Sequence, residues 1–179
     1  MEMSDFTASE RLDWFWRISV AHTFTALLLL LGLVNFAVPY IGQVKPLFLL
    51  MAVYYWAVYR PTLIPPFMVF VLGVIIDLLS GLSFLGLTAF VMLAVQWVVR
   101  NQRLYLMGQP FVMIWLGFVL TCFAATCVEW VMFSILSWDL QRFAPAIVTS
   151  LISISLFPFL AVLLHFIHRL LPVGQKTNL

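Results

Sequence analysis

The stretch FVLGVIIDLLSGLSFLG at residues 70–86 decides how many helices this chain forms. It belongs to residues 62–99, a run in which Asp77 is the only charged side chain. That run is too long for one ordinary membrane crossing, which takes about 20 residues. The sequence SGLS at residues 80–83 interrupts it, and Gly86 follows just beyond. The pattern therefore predicts two helices joined by a tight turn.

The composition of the whole chain indicates an integral membrane protein. Of its 179 residues, 64% are apolar and 9% are charged, whereas soluble domains have roughly 45–50% and 25%. A soluble protein of this size could not bury that much apolar surface or cover itself with so few charges. The apolar content excludes intrinsic disorder. Nine scattered Lys and Arg side chains are too few for a nucleic-acid binder.

The distribution of apolar runs predicts an all-α fold, namely a polytopic integral membrane protein with six transmembrane helices in a compact bundle. The predicted helices lie at about residues 19–38, 41–59, 64–79, 84–99, 110–138 and 143–167. Residues 18–168 are thus the membrane domain and residues 169–179 are a C-terminal tail. Residues 1–17 are predicted to be a second tail or a short interfacial helix.

The positive charges are divided unevenly between the two sides of this predicted bundle. One side carries seven Lys and Arg residues, whereas the other carries Lys45 and Arg142. The seven are Arg11, Arg17, Arg60, Arg100, Arg103, Arg169 and Lys176. Because cytoplasmic loops are enriched in Lys and Arg, both termini are predicted to be cytoplasmic and the turn at residues 80–83 to face outward.

Asp77 is the first of two acidic residues predicted to lie inside the membrane, where a charged side chain is costly. At helical spacing it shares a face with Gly73, Ser80 and Gly81, and such small residues let another backbone approach closely. The favoured interpretation is a packing face whose carboxylate is hydrogen-bonded or lies near outer water. The alternatives are a contact that positions the outer turn or a partner helix, and a proton or ion relay.

Glu129 is the second such acid and lies in the outer half of the fifth predicted helix. An ionised carboxylate facing lipid would be costly, so Glu129 is expected to face protein or to be protonated. A structural or interface role is favoured over a transport or proton role. The sequence has no phosphate-binding loop, zinc motif or serine elbow, and we expect no catalytic residue, no metal and no cofactor.

Two groups of residues within the predicted helices carry a specific structural expectation. Pro158 removes the helical hydrogen bond to the carbonyl of Ile154 and should kink the sixth helix. Ser153 or Ser155 is expected to satisfy that carbonyl. Four aromatic residues at the end of the second helix are expected to form an interfacial belt, namely Tyr54, Tyr55, Trp56 and Tyr59.

Two segments, VKPLFLLMAVYYWAVYRP at residues 44–61 and FVLGVIIDLLSGLSFLG at residues 70–86, resemble the bacterial rod shape-determining protein MreD family. In that family a membrane helix ends in aromatic residues and a basic residue followed by Pro. A Gly, Asp, Gly pattern comes next, and a Leu-Gly pair follows the turn. The matching residues here are Gly73, Asp77, Gly81, Leu85 and Gly86. The chain departs from the family in the residues before the Leu-Gly pair, which are Ser and Phe where the family often has Pro.

The resemblance implies a non-enzymatic protein of the bacterial inner membrane that belongs to the cell-elongation and peptidoglycan-synthesis machinery. It implies MreC, a single-span membrane protein, and the MreB filament as partners, and through them the RodA glycosyltransferase and its transpeptidase. The surrounding membrane lipids complete the set of partners, and no nucleic acid is expected. We hypothesise that the MreC helix packs on a small-residue face near Gly73, Asp77 and Gly81.

A runner-up comes from another class, the substrate-binding components of energy-coupling-factor vitamin transporters, which are also six-helix proteins. Those proteins resemble one another in an Ala-xxx-Ala face on helix one, which the first helix here lacks. A polar, Trp-lined pocket is not evident from the sequence either. A third interpretation, a lipid-modifying enzyme, lacks the clustered polar residues that such chemistry needs.

Overall fold

The computed structural model describes residues 8–34, 36–38, 42–81, 85–138 and 142–170. Within these residues the chain forms six α-helices and one two-stranded hairpin. The elements are α1 (Ala8–Leu31), β1 (Phe36–Val38), β2 (Gly42–Val44), α2 (Phe48–Tyr59), α3 (Pro66–Leu79), α4 (Leu87–Leu106), α5 (Phe111–Ser137) and α6 (Ala144–Leu170). The predicted six helices are confirmed, including the separation of the third from the fourth.

The connection between α1 and α2 differs from the prediction. The first helix was expected to reach residue 38 but ends at Leu31, and the second was expected to begin near residue 41 but begins at Phe48. The residues between them form the antiparallel pair β1 and β2. This pairing satisfies backbone groups that a helix would otherwise satisfy, and Pro46, which has no N–H to donate, separates the hairpin from α2.

Two helices extend beyond their predicted bounds. α1 begins at Ala8, so residues 8–17 of the predicted N-terminal segment are helical and continuous with it. α4 continues to Leu106, through a stretch that was predicted as a polar loop from residue 100 onward. Arg, Gln and Leu in that stretch are good helix formers, which explains the extension. The remainder of the two predicted tails, residues 1–7 and 171–179, is outside the described residues.

α2 lies at the centre of the bundle, in contact with α1, α4, α5 and α6. Its residues from Leu49 to Val58 are all buried. The hydroxyl of Tyr54 donates a hydrogen bond to the carbonyl of Ile114 at 2.9 Å, and its ring packs edge-on against that of Phe118. The prediction of an interfacial belt is therefore wrong for the buried aromatic residues of α2, because helices surround them on all sides.

The two longest apolar helices are at the C-terminal end of the chain. In the part of the chain that the structure describes, Phe111–Ser137 of α5 and Ala144–Ile167 of α6 are the helices long and apolar enough to cross a membrane. α2 and α3 are also apolar but have 12 and 14 residues. At about 1.5 Å per residue these two helices are shorter than the hydrocarbon thickness of a bilayer.

α6 passes through Pro158 without interruption. The carbonyl of Ile154, which loses its helical donor, accepts a hydrogen bond from the indole N–H of Trp115 on α5 at 3.2 Å. Ser153 instead donates to the carbonyl of Thr149 and accepts from the backbone N–H of Leu47. The expected partner of the freed carbonyl was therefore wrong: a side chain of the neighbouring helix satisfies it.

Candidate functional site

Gly73 on α3 packs directly against Ala89 on α4. A Cβ atom added to Gly73 would lie 2.4 Å from the Cα atom of Ala89 and 2.8 Å from its Cβ atom. Carbon atoms cannot approach this closely without displacing one of the two helices, so this position requires glycine. The small-residue stripe on α3 therefore includes a contact between helices of the same chain.

Asp77 ties the last turn of α3 to the first turn of α4. Its side chain is 0% exposed, and its Oδ2 atom accepts a hydrogen bond from the backbone N–H of Gly86 at 2.8 Å. Gly86 is the N-cap residue of α4, where a negative charge is favoured by the helix dipole. The other oxygen, Oδ1, is buried and has no hydrogen-bond partner in the described part of the chain.

The turn between these helices depends on two glycines with positive φ. Gly81 follows the C-cap residue Ser80 and has φ +63°, and Gly86 has φ +94°. Side chains rarely adopt this backbone conformation, whereas glycine does so without steric cost. The Ser-Phe pair at residues 83–84, where the sequence departs from the MreD pattern, lies outside the described residues.

These contacts bear on the hypothesis that a partner helix packs against the stripe. Gly73 and Asp77 are both buried within the chain, and α4 covers them. Gly81 is exposed, and a Cβ atom there would meet nothing within 4 Å. The stripe is therefore occupied by α4 at Gly73 and Asp77, which leaves these two residues inaccessible to the partner helix of the hypothesis.

A cavity of about 390 Å³ lies at the end of the bundle where α3 ends and α4 begins. We call it the Glu129 cavity. Its polar lining residues are Lys45, Ser80, Thr88, Glu129 and Thr149. They come from the segment before α2, the C-cap of α3, and helices α4, α5 and α6, while Gly32 after α1 completes the lining. Residues of all six helices or their flanking segments thus converge on one cavity.

One part of the lining of the Glu129 cavity carries positive charge. Lys45 lines it, and so do Leu49 and Leu50 in the first turn of α2. The first N–H groups of a helix have no intrahelical acceptor, and the helix dipole places partial positive charge there. The apolar side chain of the N-cap residue Leu47 makes no capping hydrogen bond, and in this first turn the N–H of Phe48 already donates to the carbonyl of Pro46 at 3.0 Å. This part of the lining is suited to a negatively charged group.

Another part of the lining carries negative charge. Glu129 is half-buried on α5 and lines the cavity. Ser80, Thr88 and Thr149 contribute hydroxyl oxygens to the lining. Among the described residues there is no group of three or more His, Cys, Asp or Glu side chains that could hold a metal ion. Carboxylate and hydroxyl oxygens accept hydrogen bonds, so this part of the lining is suited to a nitrogen cation that donates them.

At its opposite end α4 is held by polar side chains that the sequence did not single out. The amide of Gln96 donates to the carbonyl of Ile64 at 2.8 Å. Two arginines of the predicted cytoplasmic side donate to carbonyls near the end of α2, Arg103 to Val58 at 2.9 Å and Arg100 to Pro61 at 3.0 Å. The arginine pair could have been noticed as two cations three residues apart at a helix end, but their acceptors depend on the tertiary fold.

Three of the cavity residues, Lys45, Thr88 and Thr149, were also not predicted as site residues. Each lies near the end of a predicted helix on the predicted outer side. That shared position is the one signal in the sequence that could have grouped them with Ser80 and Glu129. Their convergence follows from the packing of the six helices, which a single sequence does not specify.

Comparison with known proteins identifies no relative of this chain. No family model matches it. A search of curated proteins and a search of solved structures find no match either.

Proposed function

We propose that this chain is a non-enzymatic scaffold protein of the bacterial inner membrane, of the MreD type, which acts in the cell-elongation machinery. The observation that carries the proposal is the geometry of the resembling segment. Its Gly, Asp, Gly pattern forms a coherent unit in which Gly73 packs on Ala89 and Asp77 binds the N-cap of α4. These contacts give each residue of the motif apart from Leu85 a structural role.

The proposal includes six membrane crossings with both termini in the cytoplasm. Large apolar side chains are exposed along α3 to α6, as a lipid-facing surface requires. Arg100 and Arg103 bind carbonyls at one end of the bundle, and Lys45 lines the cavity at the other. Under the positive-inside rule the arginine end is cytoplasmic. The short helix α2 fits this arrangement because other helices enclose it.

The exposed side of α3 is the proposed docking face for the single transmembrane helix of an MreC-type partner. Its apolar residues Phe67, Phe70, Val71 and Leu78 are exposed and follow helical spacing, so they form one ridge. The opposite side of α3 is covered by α4 through Gly73. MreB, RodA and the transpeptidase would be linked through that partner and through the short cytoplasmic edges of the bundle.

A genetic test separates this proposal from its alternative. Depletion of the protein from a rod-shaped bacterium that encodes it should convert rods into spheres, while a Cys127→Ser chain should restore the rods. Recovery of the MreC-type protein with the tagged chain should fall with Phe67→Ser and Leu78→Ser. Exposed Leu120→Ser on α5 serves as the matched control. Unchanged rod shape after complete depletion would contradict the proposal.

The Glu129 cavity favours a second candidate, the substrate-binding component of a vitamin transporter. Its volume of about 390 Å³ falls within the range of roughly 300–1,000 Å³ that small-molecule pockets occupy. No tryptophan is among its described lining residues, and the first helix still lacks the Ala-xxx-Ala face. Binding of a vitamin to the purified protein with micromolar or tighter affinity would replace the scaffold proposal.

A further inference from the structure

The lining of the Glu129 cavity combines a positively charged set of residues with a negatively charged set, and we call these two sets its walls. Lys45 and the first turn of α2 form the first wall, and Glu129 with the hydroxyls of Ser80, Thr88 and Thr149 forms the second. A half-buried carboxylate on an apolar helix is costly unless a cation or hydrogen-bond donors compensate it. A ligand with one positive and one negative group would compensate both walls at once.

The geometry points to a binding site for a small zwitterion that carries a primary ammonium and an anionic oxygen group on a short spacer. The ammonium lies at Glu129 and the hydroxyls of Ser80, Thr88 and Thr149, and the anionic group lies at Lys45 and the first turn of α2. Phosphoethanolamine is the simplest molecule of this class. Its source is either the headgroup of phosphatidylethanolamine or a free small molecule. This binding site does not depend on the proposed scaffold role, and the experiments below test it separately.

The lining distinguishes a primary ammonium from a quaternary one. An ammonium has three N–H donors, which match a carboxylate and hydroxyl acceptors. Quaternary ammonium groups are recognised by aromatic cages, whereas Phe48 is the single aromatic residue in the described lining. The site should therefore prefer ethanolamine over choline headgroups.

The anionic group has two kinds of donor on the other wall. Backbone N–H groups in the first turn of a helix bind phosphate oxygens, and the helix dipole adds to the attraction. The Lys45 ammonium adds a full charge. A neutral amine without an anionic group would leave this wall unsatisfied, so it should bind more weakly than the zwitterion.

The test uses the full chain purified in detergent, delipidated and then reconstituted in nanodiscs of defined lipid. Native mass spectrometry counts retained lipids from equimolar phosphatidylethanolamine, phosphatidylcholine and phosphatidylglycerol. Separately, thermal unfolding is measured in detergent with free phosphoethanolamine. We expect preferential retention of phosphatidylethanolamine or an increase in Tm with phosphoethanolamine. The first result identifies a lipid source, and the second identifies a free one.

Variants assign the two ends of the ligand. Glu129→Gln removes the acidic end and should lower the preference for phosphatidylethanolamine over phosphatidylglycerol by roughly tenfold or more, as for the loss of a charged hydrogen bond. Lys45→Gln should weaken retention of both lipids. Cys127→Ser on the same helix and Arg142→Gln are matched controls, because these exposed residues do not line the cavity, and they should retain lipid like the wild type.

Three outcomes would overturn the inference. One is equal retention of ethanolamine and choline lipids together with no effect of phosphoethanolamine on Tm. Another is an unchanged preference in Glu129→Gln. If Glu129→Gln does not fold, Thr149→Val removes one hydroxyl acceptor from the same wall, and an unchanged preference in that variant would count equally against the site. The third is binding of a vitamin to the chain with an affinity that Glu129→Gln, Lys45→Gln and Thr149→Val leave unchanged. The ligand site would then lie outside the Glu129 cavity.

Discussion

The carboxylate of Asp77 accepts a hydrogen bond from the backbone N–H of Gly86 at 2.8 Å, although the two residues belong to opposite sides of the turn. Asp77 lies in the last turns of α3 and Gly86 is the N-cap of α4. The bond therefore fixes the geometry of the turn from within the bundle. Since Oδ1 is buried and has no hydrogen-bond partner among the described residues, the bond through Oδ2 must offset part of the cost of burying this carboxylate.

Replacing Asp77 tests how much that bond contributes. Asp77→Ala leaves the N–H of Gly86 without its acceptor and should lower the free energy of unfolding by about 1–3 kcal/mol. Asp77→Asn keeps a carbonyl acceptor and removes a buried charge, so it should cost less. Thermal unfolding of the full chain in detergent measures both variants. Equal stability of Asp77→Ala and the wild type would show that the bond does not stabilise the turn.

The contact between Gly73 and Ala89 predicts that adding a methyl group at residue 73 destabilises the protein and that removing one at residue 89 does not compensate. Gly73→Ala places a Cβ atom 2.4 Å from the Cα of Ala89, so α3 must move away from α4 and the protein should lose about 1–3 kcal/mol. Ala89→Gly should not rescue it, because the nearest atom belongs to the backbone. Gly108→Ala is the control, since a Cβ there meets nothing within 4 Å, and it should unfold at the wild-type temperature. Rescue by Ala89→Gly would argue against backbone contact.

The number of helices and most of their bounds could be predicted because they depend on local sequence. The interruption at residues 80–83 lies between α3 and α4, and the predicted fifth and sixth helices agree with α5 and α6 within a few residues. The hairpin after α1 was not predicted, because its strands have three residues each and carry no periodic signal. Short strands of this kind depend on pairing with another segment.

The candidate site could be predicted in part, for a similar reason. Asp77 and Glu129 were recognised because a charged residue in an apolar helix is unusual by itself. Lys45, Thr88 and Thr149 are ordinary near helix ends, and their convergence on one cavity depends on how the helices pack. The same limit applies to Tyr54, whose aromatic neighbours suggested an interface but which lies at the centre of the bundle.

The hydrogen bond from Trp115 to the carbonyl of Ile154 should contribute less to the free energy of unfolding when Pro158 is replaced. Trp115→Phe leaves that carbonyl unpaired and should cost about 1–3 kcal/mol. In a Pro158→Ala background, residue 158 can donate the helical bond to Ile154, so the same change should cost clearly less. A double-mutant cycle on unfolding free energies gives the coupling. Additive effects within about 0.3–0.5 kcal/mol would mean that the indole does not replace the missing helical donor.

The proposed topology predicts which loops a membrane-impermeant maleimide reaches in intact cells. Single cysteines are introduced as Leu85→Cys, at an exposed turn position, and as Gly108→Cys between α4 and α5. The background carries Cys122→Ser and Cys127→Ser, which removes both native thiols. Because the arginine end is proposed to be cytoplasmic, Leu85→Cys should be labelled in intact cells and Gly108→Cys only after permeabilisation. Labelling of both positions from the same side would mean that α4 does not cross the membrane. That result would rule out the six-crossing arrangement.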